Sequence, residues 1–292
     1  MEKLRFIPCI LLLIGLLSAC TSAGSMAEIP QQTLQNIGSD TIVNLALAWA
    51  EAYQQESSQV NISVTGGGSG AGLAALVNGT ADIANASRPI KQEEIAQAAE
   101  KGFEPYEIII ARDAIAVVVH PDNPIERLTI QQVSDIYSGK VNNWAEVGGE
   151  NRPIVRLSRE TNSGTHVYFL ETVVRLDEKG NETLFATDTL LMPSSEGINM
   201  EVRQNPNAIG YDGLGYLTPE LKVIALSAGE DGPYVMPSIA TVNDGTYPVA
   251  RDLYMYTAGE PAGAIREFLD YVLSTAGQEI VSEQGFVPVT SP

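Results

Sequence analysis

The sequence predicts an α/β fold whose sheet is mainly parallel and covered by helices on both faces. Short apolar, β-branched runs alternate along the chain with longer segments of helical period, and that alternation builds parallel sheets flanked by helices. The loops leading from strands into helices, "GSDT", "GGGSG", "ASRP" and "SRETNSGT", carry glycines, hydroxyls or arginine. In such sheets a ligand sits where strand ends meet helix starts.

The elements follow in order. Residues from Met26 to Gln35 are polar and without period, which reads as a tether. "QNIGSD" then feeds the helix "TIVNLALAWAEAYQQE", where Ile42, Leu45, Trp49 and Tyr53 share one face and Ser39 or Asp40 can cap the start. "VNISVT" reads as a strand, "AGLAALVNG" as a short helix closed by Gly79, and "ADIANASRPI" as a buried strand ending in a polar turn. "KQEEIAQAAEKG" is a helix ending at Gly102. "YEIIIARDAIAVVVH" gives two strands with a polar break at Arg112 and Asp113, and "LTIQQVSDIYSG" a helix from Thr129. "PIVRLSRETNSGTHVYFLETVV" repeats strand, polar loop and helix. "NAIGYDGLGYL", "KVIALS" and "YPVARDLYMYT" are later strands, and "AGAIREFLDYVLSTAGQEIVSEQG" supplies the closing helices.

The opening "MEKLRFIPCILLLIGLLSAC" places Lys3 and Arg5 before an apolar run and small residues, the pattern of an export signal. No later stretch is apolar enough to span a bilayer. Leu17-Ser18-Ala19-Cys20 resembles the bacterial lipobox, which implies a signal over 1–19 and a lipid on Cys20; a plain signal cleaved near Ala27 is the alternative. Cys9 and Cys20 are the only cysteines, so the body of the chain has neither disulfide nor thiol chemistry. The formal charge of −19 argues against nucleic acid and against docking on anionic lipid. It also repels small anions at long range, so an anion site here must act through short, desolvated contacts.

The loops supply the inventory for such a site. A tetrahedral oxyanion has acceptors in every direction, so holding it dry needs donors from several loops: helix-start amides, hydroxyls and the fork of an arginine. Ser39, Thr41, Ser69, Ser87, Arg88, Arg159, Ser163, Gly164 and Thr165 are of those types. Asp40 is an acid among them. Either it caps its helix, or it faces the ligand and accepts a proton, which favours phosphate over sulfate. Ser163 can cap its own helix, and Arg88 can instead pair with a neighbouring acid.

"GSDT", the glycine and serine loop, "DIANASRPI", "VSDIYSGKVNNWAEVGG", "RETNSGTHVYF" and "NAIGYDGLGYL" stand in the order found in phosphate-binding lipoproteins of the PstS type, the substrate-binding components of ABC phosphate importers. The resemblance runs from about Gln35 to the end. It implies a two-lobed periplasmic-binding-protein fold with two mainly parallel mixed sheets and phosphate between the lobes. The chain would cross twice, with a lipidated tether at 20–35, lobe 1 at 36–117 and 226–292, and lobe 2 at 118–225. By motif, Ser39, Thr41, Ser69, Arg159, Ser163, Gly164 and Thr165 should touch the anion, with Arg159 as the main ion pair. Some members place an aspartate where Ser87 and Arg88 stand, and there it accepts the phosphate proton; with Arg88 in its place, discrimination against sulfate depends on Asp40 or a backbone carbonyl taking that role. The resemblance further implies a permease as partner and an address in the periplasm or on the outer face of the cell membrane; rocking lobes and a permease-facing rim leave little room for an obligate interface, so a monomer is expected, with no metal or cofactor.

Two other readings of the site remain, beside a second, adhesion or signalling role for the exposed surface that no sequence feature favours. One is a binding protein for sulfate, molybdate or tungstate. The other is a phosphate-ester hydrolase with Ser163 as nucleophile and His166 nearby, although both would lie in one helical turn and no G-x-S-x-G elbow is present. His120 and His166 lack metal-ligand spacing.

Overall fold

A computed structural model describes residues 32–57 and 59–289. The expected signal and Cys20 lie outside the described residues. The chain runs β1 (Gln32–Gly38), α1 (Asp40–Glu56), β2 (Val60–Thr65), α2 (Ser69–Val77), β3 (Ile83–Ala86), α3 (Gln92–Glu100) and β4 (Pro105–Val119). It continues through β5 (Arg127–Thr129), α4 (Ile130–Tyr137), β6 (Val155–Arg159), α5 (Gly164–Phe169), β7 (Leu190–Met192), α6 (Ser195–Gln204), β8 (Ala208–Gly213) and β9 (Lys222–Ser227). Last come α7 (Ile239–Asn243), β10 (Ala250–Ala258), α8 (Gly263–Val272) and α9 (Thr275–Glu283).

The strands form one curled open path in the order β2-β1-β3-β10-β4-β8-β6-β7, with β9 also on β4 and β5 on β9. It reads as two mixed sheets sharing β4. Residues 105–114 of β4 pair antiparallel with β10, and from Ile115 onward the strand pairs with β8 and β9. The pairs β1 with β2 and β3, β6 with β7 and β8, and β5 with β9 are parallel.

Each sheet has its own core. Leu34, Trp49, Ile110, Phe268 and Phe286 pack under the first, where α1 meets α8 and α9. Ile115, Tyr137, Trp144, Phe169 and Tyr211 pack under the second. The α1 face read from the sequence is the buried one: Ile42, Leu45 and Trp49 are fully covered, each contributing about 1.5–3 kcal/mol through burial. Trp49 also satisfies its indole N–H on the Gly277 carbonyl at 2.7 Å, tying α1 to α9.

Three expectations change. The tether does not reach Gln35, because 32–38 form β1 in register between β2 and β3. The break at Arg112 and Asp113 is absent: β4 is continuous, and Asp113 is buried against Arg251 of β10. The charge that suggested a break is neutralised by the neighbouring strand. The return to the first sheet occurs not after residue 225 but at β10, since Leu226, Val242, Tyr247 and Val249 pack into the second core.

Candidate functional site

Four helices begin where the two sheets meet: α1 and α2 follow strands of the first sheet, α5 and α6 follow strands of the second. Helix starts present unpaired N–H groups and a partial positive charge, so their convergence favours negative charge between them.

The hydroxyls lie at this convergence and are buried. Ser39 Oγ donates to Ser87 Oγ at 2.9 Å, and Ser69 Oγ lies 3.3 Å from Ser87 Oγ while accepting from the Ser87 N–H at 3.0 Å. From the second sheet, Thr165 Oγ1 comes within 2.7 Å of Thr41 Oγ1. Gly164 sits against the serines so closely that a Cβ there would strike Ser69 Oγ and approach Ser87 Oγ to 2.6 Å.

The glycine loop lets the sheets meet. Gly68, at φ +95°, holds a left-handed conformation that side chains disfavour. A Cβ on it would stand 2.8 Å from the Asn162 carbonyl. That carbonyl instead accepts from the Gly70 N–H at 3.1 Å, and Asn162 Nδ2 donates to the Gly67 carbonyl at 2.8 Å.

Arg159 ends β6 and is 2% exposed, so its charge must be met within the protein. Its Nη2 lies 3.0 Å from Asp40 Oδ2 and also donates to the Pro193 carbonyl at 3.0 Å; Nη1 donates to Ser195 Oγ at 3.1 Å. Asp40 therefore does not cap its own helix. Its Oδ2 accepts the Ser195 N–H at 3.1 Å, taking an orphan donor at the start of α6 in the opposite sheet. Ser39, the residue before α1, makes no side-chain capping bond either.

Two expected residues stand apart from the hydroxyl cluster. Arg88 forks onto Glu94, Nη1 to Oε2 at 2.8 Å and Nη2 to Oε1 at 2.7 Å, and also donates to the Pro89 carbonyl. Burial alone would raise the Glu94 carboxyl, but the Arg88 hydrogen bonds and charge and the Lys91 N–H outweigh it and hold it below its ordinary value. Ser163 caps α5, accepting the His166 N–H at 3.4 Å. The His166 ring is held elsewhere, with Nδ1 3.0 Å from Ser158 Oγ, and burial pushes its pKa down. A hydrolytic Ser163–His166 pair does not form.

The cation that does reach the hydroxyls is Arg251, which sequence reasoning missed. Its Nη1 donates to the Ser87 carbonyl at 2.9 Å, and its Nη2 to Thr165 Oγ1 at 3.0 Å and Asp113 Oδ2 at 2.9 Å. The guanidinium lies 5.5 Å from the Tyr168 ring centroid. An Arg251-Asp252 pair within the largely apolar strand "YPVARDLYMYT" was the available signal. Behind Arg159 stand Ser195 and Asp212, also unforeseen. Ser195 Oγ donates to Asp212 Oδ1 at 2.7 Å, and the Gly213 N–H reaches the same oxygen at 2.9 Å. Among the described residues, Asp212 Oδ2 is buried without a hydrogen-bond partner. Burial pushes Asp212 up to about 7 and Asp113 acts in the same direction, against Ser195, the Arg159 charge and the Gly213 N–H. Burial raises the Asp113 carboxyl as well, with the Arg251 charge and hydrogen bonds opposing it. No cluster of metal-ligating side chains occurs among the described residues.

Comparison with known proteins shows what the chain as a whole is similar to. The PBP superfamily domain matches residues 25–276. The phosphate-binding protein PstS of Pseudomonas aeruginosa strain PAO1 is 35% identical over 273 residues, covering 88% of this chain and 83% of that one. The phosphate-binding protein PstS of Bacillus subtilis is 33% identical over 254 residues, covering 87% and 79%. Among solved structures, a substrate-binding protein with bound phosphate from Clostridium perfringens superposes with a TM-score of 0.79 at 30% identity, covering 89% of this chain and all of that one. An ABC-type phosphate transport receptor from Vibrio cholerae gives 0.70 at 25% identity, covering 88% and 100%.

Proposed function

Because the chain belongs to the PBP superfamily, in its PstS type of phosphate-binding proteins, we propose that it holds inorganic phosphate where α1, α2 and α5 begin. It is the extracytoplasmic phosphate-binding component of an ABC importer and not an enzyme. The observation that carries the placement is the meeting of hydroxyls from both sheets, Ser39, Ser69 and Ser87 on one side of Gly164 and Thr41 against Thr165 on the other.

In this reading Ser39, Thr41, Ser69, Ser87 and Thr165 hydrogen-bond the phosphate oxygens, with the N–H groups of Gly164 and Thr165 completing the α5 side, since the Ser163 N–H is already given to the Glu160 carbonyl at 2.9 Å. Arg159 and Arg251 supply the charge. Arg88 serves the loop through Glu94. Asp40 gives the wall an acceptor: Oδ2 is taken by Arg159 and Ser195, and Oδ1 can accept the proton of a phosphate oxygen. Fully ionised sulfate has none to give, so the partly buried Asp40 Oδ1 would face a charged oxygen of the same sign with no proton between them. This disfavours sulfate, molybdate and tungstate as the ligand.

Lobe 1 would comprise β1 to the first part of β4 together with β10, α8 and α9, and lobe 2 the chain between. Crossings at 114/115 and near 249/250 are supported by the change of partners along β4. Closure of the lobes would be stabilised by ligand contacts made from both sides. Lipidation at Cys20 would tether the body to a membrane, leaving a monomer free to dock on the permease.

Calorimetric titration with phosphate and then sulfate at neutral pH, repeated with Arg159→Ala, tests the reading. One-to-one phosphate binding, no sulfate binding and loss in the variant are expected. Equal binding of both anions would overturn the role of Asp40.

A further inference from the structure

Asp212 lies behind the anion site with no direct part in the contacts proposed for phosphate. Its Oδ1 accepts from Ser195 Oγ, and Ser195 Oγ accepts from Arg159 Nη1. Carboxylate, hydroxyl and guanidinium thus form one chain ending on the cation of the site. Its Oδ2 is buried without a partner, and a carboxylate oxygen so placed is either poorly solvated or carries a proton.

The groups facing Asp212 come from every element packed on β8. Arg159 on β6 is the near cation. Asp113 on β4 is the near anion, itself held by Arg251 of β10. Ser195 opens α6, whose second residue is Glu196; Tyr216 follows β8, and Asp40 reaches across from α1 to Arg159. Two arginines therefore serve three buried or half-buried carboxylates, Asp40, Asp113 and Asp212, before any ligand is counted. An incoming anion adds negative charge to a region already in excess of it.

We propose that Asp212 is a positioning residue that stores a proton: it orients Arg159 through Ser195 and becomes protonated on Oδ2 when phosphate binds. The proton comes from solvent and returns there on release. This deepens the phosphate reading and rests on it. The same burial that raises Asp212 to about 7 places the exchange in the neutral range. The sign follows from linkage: the bound anion disfavours ionised Asp212, so its pKa rises on binding and affinity strengthens as pH falls through the neutral range.

Replacement of the carboxylate by its neutral isostere separates this role from a purely structural one. Asp212→Asn can still accept from Ser195 but cannot ionise. Phosphate affinity measured by calorimetry at about pH 6 and about pH 8 should match wild type at the lower pH and exceed it about fivefold at the higher, the effect of a midpoint displaced by one unit from about 7. Equal weakening at both values, or a wild-type pH profile in the variant, overturns the proposal. If the variant does not fold, the wild-type carboxyl is followed directly: the carbon-13 titration midpoint of Asp212 should move to higher pH on adding phosphate, and an unmoved midpoint overturns it. Failure of the wild-type protein to bind phosphate at either pH overturns the underlying reading and this proposal together, a result distinct from the others.

Discussion

The hydroxyls of Thr41 and Thr165, 124 residues apart in the chain, lie 2.7 Å from each other. One stands in the first turn of a helix leaving the first sheet, the other in the first turn of a helix leaving the second. Arg251 reaches Thr165 from a third direction. Thr165→Val, similar in shape but without the hydroxyl, removes a partner from both neighbours. Phosphate affinity should fall about tenfold, the scale of one buried hydrogen bond, while the unfolding transition stays cooperative. Unchanged affinity would place the ligand elsewhere.

The two buried arginines expected at the anion should behave in opposite ways. Arg159→Met should weaken phosphate binding at least about 100-fold, since a charge-assisted contact is lost and Asp40 loses its partner. Arg88→Met should leave the affinity within about threefold but cost about 3 kcal/mol of stability, because Glu94 is stranded in a half-buried pocket. Denaturant unfolding beside calorimetry distinguishes them. A large affinity loss for Arg88→Met would return that residue to the site.

Gly164→Ala tests packing at the centre of the site. The new methyl would meet Ser69 and Ser87, and overpacking of this kind costs about 1–3 kcal/mol. The expected result is a folded protein whose phosphate affinity drops about 10- to 100-fold, read by fluorescence or calorimetry. Wild-type affinity would show that the serines do not need their present spacing.

His166 gives a stability signature. Burial lowers its folded pKa below the usual 6.5, so the unfolded chain takes up a proton first as pH falls. The stability that neutral His166 permits is complete above about pH 6.5 and is lost progressively below it, down through the lowered folded value. Denaturant midpoints followed from neutral to acidic pH should fall less steeply for His166→Gln than for wild type. Parallel curves would mean that the ring titrates alike in the folded and unfolded chain, and that burial does not disfavour its charge.

The amphipathic helix α1 was legible in the sequence because its signal is local: Ile42, Leu45 and Trp49 recur at helical spacing and all are buried. The anion cluster was legible because each loop carried its own glycines and hydroxyls. β1 was not, since its alternation passes through Asn36, a buried polar residue whose side chain is met by Asn85 of the next strand. Arg251 and the uninterrupted course of β4 were hidden for the same reason. Asp113 and Arg251 are 138 residues apart, so neither charge reveals within its own segment that it is neutralised.

The place of β10 has a consequence for how the molecule is born. This strand lies between β3 and β4, yet it is the last to be synthesised and the last to leave an export channel. Until it arrives, the first sheet consists of two unjoined pieces with open edges, the situation that makes folding slow and invites wrong pairings. A chain cut short of Ala250 carries every hydroxyl of the site and lacks the strand that holds them in register. Ligand capture is therefore expected to depend on the arrival of β10, the piece that joins the two halves of the first sheet.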